Sequence, residues 1–135
     1  GVTVRDIAKP KIITFTNSFH GRTLGAMFAT EQKKIWGDFG FTPDELGYIH
    51  LPFNDVAALE KTVSENADVV AMLVEPIQGE SGVNAVTPEF LRGMACAARR
   101  TSCCCSTKCS AASAGQGRWP AGVRSFLVTR FNLTA

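Results

Sequence analysis

The chain has 135 residues, 45% of them hydrophobic, and a formal net charge of +2, which is enough for one modest hydrophobic core. The slight basic excess comes without a stripe of Lys and Arg interleaved with aromatic residues, so nucleic-acid binding is not indicated. No apolar run is long enough to span a bilayer, and no secretory signal peptide starts the chain. Because the first residue is Gly1 rather than Met, we expect the true beginning to lie upstream.

The first half of the chain predicts two strands and two helices. Residues 11–16, KIITFT, are β-branched and aromatic, which is typical of a strand. The sequence LGAMFATEQKK favours one helix, and residues 36–47, with three Gly and one Pro, are expected to form a loop. Residues 48–51 predict a short strand, after which Asn54 or Asp55 caps a helix.

The segment DVVAMLVEPIQGESGV, residues 68–83, is the one around which we expect the chain to be organised. Apart from Asp68, its first seven residues are apolar and rich in Val, which favours a strand buried on both faces of a parallel sheet. The strand should stop at Pro76, which cannot donate to a ladder. Ligands of open α/β sheets bind at the carboxyl ends of strands, so Glu75 and Glu80 lie where chemistry usually occurs. Two solvated acids in a loop are the alternative.

Strand and helix alternate along the chain, which predicts an α/β fold with right-handed crossovers and a mainly parallel sheet. Thr87 is expected to cap a last helix with Pro88 at its first position. Its predicted buried face consists of Phe90, Leu91, Met94 and Ala95.

The five cysteines, an odd number, are bunched in one quarter of the chain at Cys96, Cys103, Cys104, Cys105 and Cys109. They form neither a disulfide framework nor the usual zinc spacing, and neither histidine lies nearby, so we expect no metal site. A Cys-rich metal-binding module is the alternative. Residues 101–117, TSCCCSTKCSAASAGQG, lack helical and strand periodicity, which is typical of a disordered linker.

Four segments resemble the class III pyridoxal-phosphate aminotransferases, above all the acetylornithine and ornithine aminotransferase group. In the family's order they are NSFHGRT at residues 17–23, PFND at 52–55, VEPIQGESGV at 74–83 and TPEFL at 87–91. The resemblance implies that residues 1–100 are an incomplete part of the large domain of the fold-type-I transferase fold. It also implies pyridoxal 5′-phosphate as cofactor, and a homodimer in the cytoplasm. The implied reaction moves an amino group from an ω-amine such as N-acetylornithine to 2-oxoglutarate.

We interpret the tail, residues 101–135, as disordered and translated out of frame. Codons compatible with residues 101–110, read one base earlier, encode HELLLLDEVQ, and continuing the same frame gives CGIGRTGK. This resembles the family's buried strand followed by DEVQxGxGRTG at the expected distance after TPEFL. On this interpretation the three adjacent cysteines reflect a run of leucines.

The resemblance assigns cofactor-binding roles to Phe19, His20, Gly21 and Glu75. Phe19 resembles the aromatic residue that stacks on the pyridine ring, with an ordinary core residue as the alternative. His20 would shape the floor of the site, or be a structural histidine, and Gly21 would let backbone approach the cofactor. Glu75 resembles an acid that is hydrogen-bonded near the cofactor.

The resemblance assigns substrate-binding roles to Arg22 and Glu80. Arg22 resembles the arginine that grips a substrate carboxylate; a surface arginine at a helix start, where the dipole disfavours a cation, is the alternative. Glu80 resembles a gating glutamate that releases a downstream arginine when an α-carboxylate arrives.

That arginine, the Schiff-base lysine and the Gly-rich phosphate loop have no match in this chain, so no catalytic residue is assigned and we expect the chain alone to be inactive. The competing interpretations are a non-catalytic remnant that self-associates through exposed apolar surface, and an ornithine or 4-aminobutyrate aminotransferase.

Overall fold

The computed structural model describes residues 7–80, 82–101 and 104–107, which form an α/β fold. In chain order the elements are β1 (Lys11–Phe15), α1 (Leu24–Ala29), α2 (Lys33–Trp36), a 3₁₀ turn (Gly37–Phe39), β2 (Tyr48–Leu51), α3 (Val56–Glu65), β3 (Val69–Val74), β4 (Ile77–Gln78), β5 (Asn84–Ala85), α4 (Pro88–Thr101) and β6 (Cys104–Thr107). None of the described helices is both long enough and apolar enough to cross a membrane.

Four strands pair in the order β2-β1-β3-β6, and each neighbouring pair is parallel. A parallel pair needs a long crossover, which helices supply here between successive strands of the sheet. The predicted mainly parallel sheet is therefore confirmed. Strands β4 and β5 form a separate antiparallel hairpin directly after β3.

Helices α3 and α4 cover one face of the sheet and form the apolar core with it. Phe15 on β1 meets Phe90 on α4 edge to face, with ring centroids 5.1 Å apart. Both rings are fully buried, which stabilises the fold by about 1.5–3 kcal/mol for each side chain. At Gly93 an added Cβ would lie 3.0 Å from Val56 Cγ1, so this glycine lets α4 approach α3 closely.

The opposite face of the sheet is more polar. Thr14, fully buried on β1, lies beside His50 on β2, with 2.7 Å between Thr14 Oγ1 and His50 Nδ1. Helix α1 lies over this face, as shown at Gly25, where an added Cβ would be 3.6 Å from the Tyr48 hydroxyl oxygen.

Strand β3 differs from the expectation of burial on both faces. Val69, Met72 and Val74 are buried against α3 and α4, whereas Val70 and Leu73 are only half-buried. Helix α1 lies over β2, at the far end of the sheet from β3, and so does not cover these residues fully.

The predicted helix LGAMFATEQKK is interrupted. Helix α1 ends at Ala29, Thr30 is extended with φ −78° and ψ 120°, and α2 starts at Lys33. The Thr30 hydroxyl donates to the Ala26 carbonyl oxygen at 2.9 Å and accepts a hydrogen bond from outside the helix, which competes with continued helical pairing.

The predicted helix caps are confirmed, with Asp55 rather than Asn54 at α3. The Asp55 Oδ1 atom accepts the Ala58 N–H at 2.9 Å, and the Thr87 hydroxyl accepts the Phe90 N–H at 3.2 Å. Of the four residues predicted on the buried face of α4, Phe90 and Met94 are fully buried, while Leu91 and Ala95 are partly exposed.

The expectation of a disordered tail does not hold at Thr101, which ends α4, or at Cys104–Thr107, which pairs with β3. The pairing uses only backbone groups, so an extended segment can add to the free edge of β3 whatever its side chains. Residues 108–135, and with them Cys109, lie outside the described residues, as does Cys103. In the described part of the chain, no cluster of potential metal ligands is present.

Replacing Gly47 by Ala should destabilise the fold more than the same change at Gly40. Both residues have positive φ, +82° and +73°, which costs an alanine about 1–2 kcal/mol. A Cβ at Gly47 would also lie 2.7 Å from the Pro10 carbonyl oxygen, whereas at Gly40 nothing lies within 4 Å. Urea unfolding should therefore give Gly47→Ala a further loss of at least about 1 kcal/mol. Equal losses in the two variants would contradict the clash.

His50 should make the fold less stable in mild acid. Burial lowers the pKa of His50 below its ordinary value of 6.5, although Glu31 and the Phe28 backbone oppose this. Just below 6.5 the unfolded chain therefore binds more protons than the folded one, so the free energy of unfolding falls as the pH decreases through this window. Above pH 6.5 the contribution of His50 to the free energy of unfolding is fully present. Urea unfolding on both sides of pH 6.5 should show a smaller decrease for His50→Gln, and an unchanged decrease would contradict the assignment.

Candidate functional site

A tight turn follows β1 and carries the chain to the first candidate site residues. The Ser18 N–H donates to the Phe15 carbonyl oxygen at 3.2 Å, and Asn17 has a positive φ of +61°. Asparagine tolerates this conformation better than other residues with a Cβ atom. The turn keeps Phe19 at the carboxyl edge of the sheet, close to the end of β3.

The structure brings Phe19 and Glu75 together, although they come from motifs 56 residues apart. The Phe19 N–H donates to Glu75 Oε2 at 2.8 Å, and Glu75 is only 1% exposed. Strands β1 and β3 are parallel neighbours, so their carboxyl ends meet at one edge of the sheet. A carboxylate acceptor makes this hydrogen bond stronger than one between neutral groups.

His20 and Gly21 lie against α1. His20 is buried, and its backbone N–H donates to the Thr30 hydroxyl oxygen at 2.9 Å. Gly21 has φ +127°, and a Cβ there would lie 3.2 Å from the Ala26 Cβ atom. Glycine is therefore required here by conformation and by packing on α1, while close approach to a cofactor stays a prediction.

Arg22 and Glu80 are both exposed, and in the described part of the chain no hydrogen bond or ion pair joins them. Glu80 lies in the loop between β4 and β5 and lines a shallow pocket of about 350 Å³ together with Gln32, Lys33 and Lys34. Among the residues that the structure describes, no hydrogen bond or ion pair joins Glu80 to Phe19 or to Glu75. A shared substrate site for Arg22 and Glu80 stays a prediction.

Three residues that hold the candidate site in place were missed as site residues in the sequence. Gln78 is 1% exposed and its Nε2 donates to the Thr16 carbonyl oxygen at 2.7 Å. Thr30 binds the His20 backbone. Asn54, with φ +63°, donates to the Ala85 carbonyl oxygen and accepts the Thr87 N–H, which fixes the base of the β4–β5 hairpin. Only its polarity and its place after a strand could have pointed to Asn54.

The residues at this edge fit a planar aromatic ring such as that of pyridoxal 5′-phosphate. Phe19 is half-buried beside a buried carboxylate. Next to it the Ser18 hydroxyl is fully buried and has no hydrogen-bond partner among the described residues. This hydroxyl is therefore able to form a hydrogen bond with a bound group. Lys11 lies at the opposite end of β1, where its Nζ contacts Asn66 Oδ1 at 3.5 Å. The residues at this edge therefore fit the ring of the cofactor, whereas Lys11 is not placed to bind it covalently.

Comparison of sequences connects this edge to known enzymes. A family model described as aminotransferase class III matches residues 2–104. The acetylornithine aminotransferase of Halalkalibacterium halodurans is 54% identical over 82 residues, which is 61% of this chain and 20% of that protein. An acetylornithine/succinyldiaminopimelate aminotransferase from Yersinia pestis is 45% identical over 86 residues, which is 64% of this chain and 20% of that protein.

Comparison of structures agrees with the sequence matches. The ornithine aminotransferase of Toxoplasma gondii, described with partial occupancy of pyridoxal phosphate at its active site, matches with a TM-score of 0.65 at 33% identity. The match covers 74% of this chain and 23% of that one. The chain thus spans about a fifth of the length of the curated relatives it matches.

Replacing Glu75 by Leu should destabilise the fold, because the Phe19 N–H would lose its buried acceptor. We expect a loss of roughly 1–3 kcal/mol in urea unfolding. Glu75→Gln keeps an acceptor oxygen and should lose less. The matched control Glu80→Gln changes an exposed side chain and should stay within about 0.5 kcal/mol of the parent. Equal losses for Glu75→Leu and Glu75→Gln would show that the hydrogen bond to Phe19 is not what Glu75 contributes.

Proposed function

This chain belongs to the class III aminotransferases, which use pyridoxal 5′-phosphate, and we propose that it is part of an enzyme that moves an amino group from an ω-amine to a 2-oxo acid. The observation that carries the proposal is the hydrogen bond from Phe19 to the buried Glu75, because it joins two family motifs at one edge of the sheet. The chain spans only about a fifth of its relatives, so the remaining parts of the active site would come from elsewhere in the complete enzyme.

Phe19, His20, Gly21 and Glu75 are the residues that would hold the cofactor. The Phe19 ring would lie flat on the pyridine ring, exclude water from that face and fix the plane of the reacting bonds. Glu75 would hold the loop that carries Phe19 through its bond to the Phe19 N–H. When bound, the cofactor supplies an electron sink for the reaction, while the protein orients it.

Arg22 and Glu80 would act on the substrate. A guanidinium group suits bidentate binding of a carboxylate, and the exposure of Arg22 leaves it open to solvent-borne ligands. Glu80 would pair with an arginine from outside this chain and release it when an α-carboxylate arrives. One site could then accept an ω-amine donor and a 2-oxo acid in turn.

N-acetylornithine is the amine donor we favour, and 2-oxoglutarate the acceptor. Two similar relatives carry acetylornithine in their names, and one of these also carries succinyldiaminopimelate. An ornithine aminotransferase is among the similar structures, which supports ornithine as the alternative donor. A homodimer in the cytoplasm stays a prediction.

We also propose that residues 101–135 are translated out of frame. The family match ends at residue 104, close to the point where the shifted frame would begin, which supports the proposal. The encoding DNA decides this: codons incompatible with HELLLLDEVQ in the shifted frame would end the proposal.

Self-association is the second candidate function, because large apolar side chains are exposed near the 3₁₀ turn. Phe39, Phe41 and Leu46 are 54%, 57% and 45% exposed. An exposed apolar patch of this kind favours association with other chains. Sedimentation that depends on concentration, without cofactor binding, would support a non-catalytic remnant.

The chain alone should not form a covalent adduct with pyridoxal 5′-phosphate, because none of its lysines matches the family's anchoring lysine. Absorbance titration should show no saturable band beyond that of free cofactor. Reduction with borohydride followed by mass spectrometry should find no single modified lysine. A stoichiometric, saturable adduct at one lysine would contradict this prediction.

The function itself can be tested in a chimera, in which this chain's matching residues replace their counterparts in the Halalkalibacterium halodurans enzyme. We expect the chimera to transaminate N-acetylornithine. Arg22→Lys should lower kcat/KM by roughly tenfold to a hundredfold, because an ammonium group cannot make the bidentate contact.

The matched control is Arg92→Lys, which changes an exposed arginine on α4 that pairs with Glu89 at 3.1 Å. This variant should leave kcat/KM unchanged. A folded, cofactor-loaded chimera with no activity toward any ω-amine would overturn the proposed function, and equal effects of the two substitutions would remove the role of Arg22.

A further inference from the structure

The loop after β1 is held at three points by side chains from elsewhere in the fold. Gln78 Nε2 donates to the Thr16 carbonyl oxygen at 2.7 Å. Glu75 accepts the Phe19 N–H at 2.8 Å, and the Thr30 hydroxyl accepts the His20 N–H at 2.9 Å. Residues 16–20 are therefore fixed from two directions, by the segment after β3 and by the end of α1.

The side chains that make these contacts are buried. Gln78 and Thr30 are 1% and 0% exposed, so water cannot easily replace either side chain as the partner of the loop backbone. Hydrogen bonds in such a setting are directional, and they define where the backbone lies as well as stabilising it.

Thr30 has a chemical requirement that few residues meet. Its hydroxyl accepts from the His20 N–H and donates to the Ala26 carbonyl oxygen at 2.9 Å. Only a hydroxyl does both at this reach, so serine could replace threonine but valine, which has the same shape, could not. The bond pair locks the His20 backbone to the last turn of α1.

We propose that Gln78 and Thr30 are positioning residues, which set the direction of the Phe19 ring by fixing the backbone on both sides of it, at Thr16 and at His20. The proposal rests on the role proposed above for Phe19. Neither Gln78 nor Thr30 touches substrate in this assignment. A misplacement of about 1 Å at a reacting group is enough to cost a large factor in rate, which is why such support matters.

Both residues lie outside the main apolar core, and each side chain bonds to loop backbone. Their removal should therefore loosen the loop while the β-sheet keeps its protection. This separates positioning from a general contribution to stability.

The experiment uses the isotope-labelled 135-residue chain without cofactor, with amide hydrogen exchange and the ring proton shifts of Phe19 read by NMR. In Thr30→Val the His20 amide should exchange at least about tenfold faster, and the Phe19 ring shifts should move. The amides of Ile13 and Met72 in the sheet should be unchanged. Thr30→Ser should restore both loop readouts, and the matched control Thr42→Val, on an exposed loop, should change neither.

Gln78→Met gives an independent test, because it keeps the length of the side chain and removes the donor. It should move the Phe19 ring shifts even though the acceptor of the Phe19 N–H, Glu75, is intact. The matched control is Gln32→Met, at the start of α2. If Thr30→Val does not fold, the readouts of Thr30→Ser and Gln78→Met still test whether these side chains position the Phe19 ring.

Faster exchange spread equally over loop and sheet, or unmoved Phe19 shifts in Thr30→Val and Gln78→Met, would overturn the proposal. The measurement needs neither cofactor nor activity, so such a result leaves the proposed aminotransferase function standing. Conversely, a chimera without activity would contradict the proposed function but would leave the exchange rates and ring shifts measured in the 135-residue chain as they are.

Discussion

Parallel pairing of β1 with β3 is the constraint on which the candidate site depends. Residues from two motifs 56 positions apart meet because both strands run in the same direction and end at the same edge. An antiparallel arrangement would place Phe19 and Glu75 at opposite edges of the sheet. The apolar core under α3 and α4 stabilises this pairing, since Phe15, the last residue of β1, packs against Phe90 on α4.

The site edge is built mainly from hydrogen bonds between side chains and loop backbone. Leaving the N–H and C=O groups of a loop unpaired beside a buried sheet edge is unfavourable. Here the side chains of Glu75, Gln78 and Thr30 form hydrogen bonds with these groups. The same bonds restrict where an aromatic ring in that loop can lie. The geometry of the loop therefore depends on these buried side chains, whereas the exposed Arg22 and Glu80 add little to the fold.

The two faces of the sheet differ in character. One is packed with aliphatic and aromatic side chains, and the other carries the Thr14–His50 pair beneath α1. The polar face places an ionisable ring in a half-buried position, where burial lowers the pKa of His50. The chain spans about a fifth of the length of the curated relatives it matches.

By itself the sequence determined the elements whose signals are local. The strands at Lys11–Phe15 and Val69–Val74, the cap at Thr87 and the four family motifs all follow from neighbouring residues, whereas the choice of Asp55 over Asn54 as the other cap did not. Only the tertiary structure decided that Thr30 interrupts a helix, that Gln78 holds Thr16, and that β3 is half-buried on one face. Those outcomes depend on partners as many as 62 residues away, and a side chain's hydrogen-bond partner is chosen by the packing of the sheet rather than by its place in the chain.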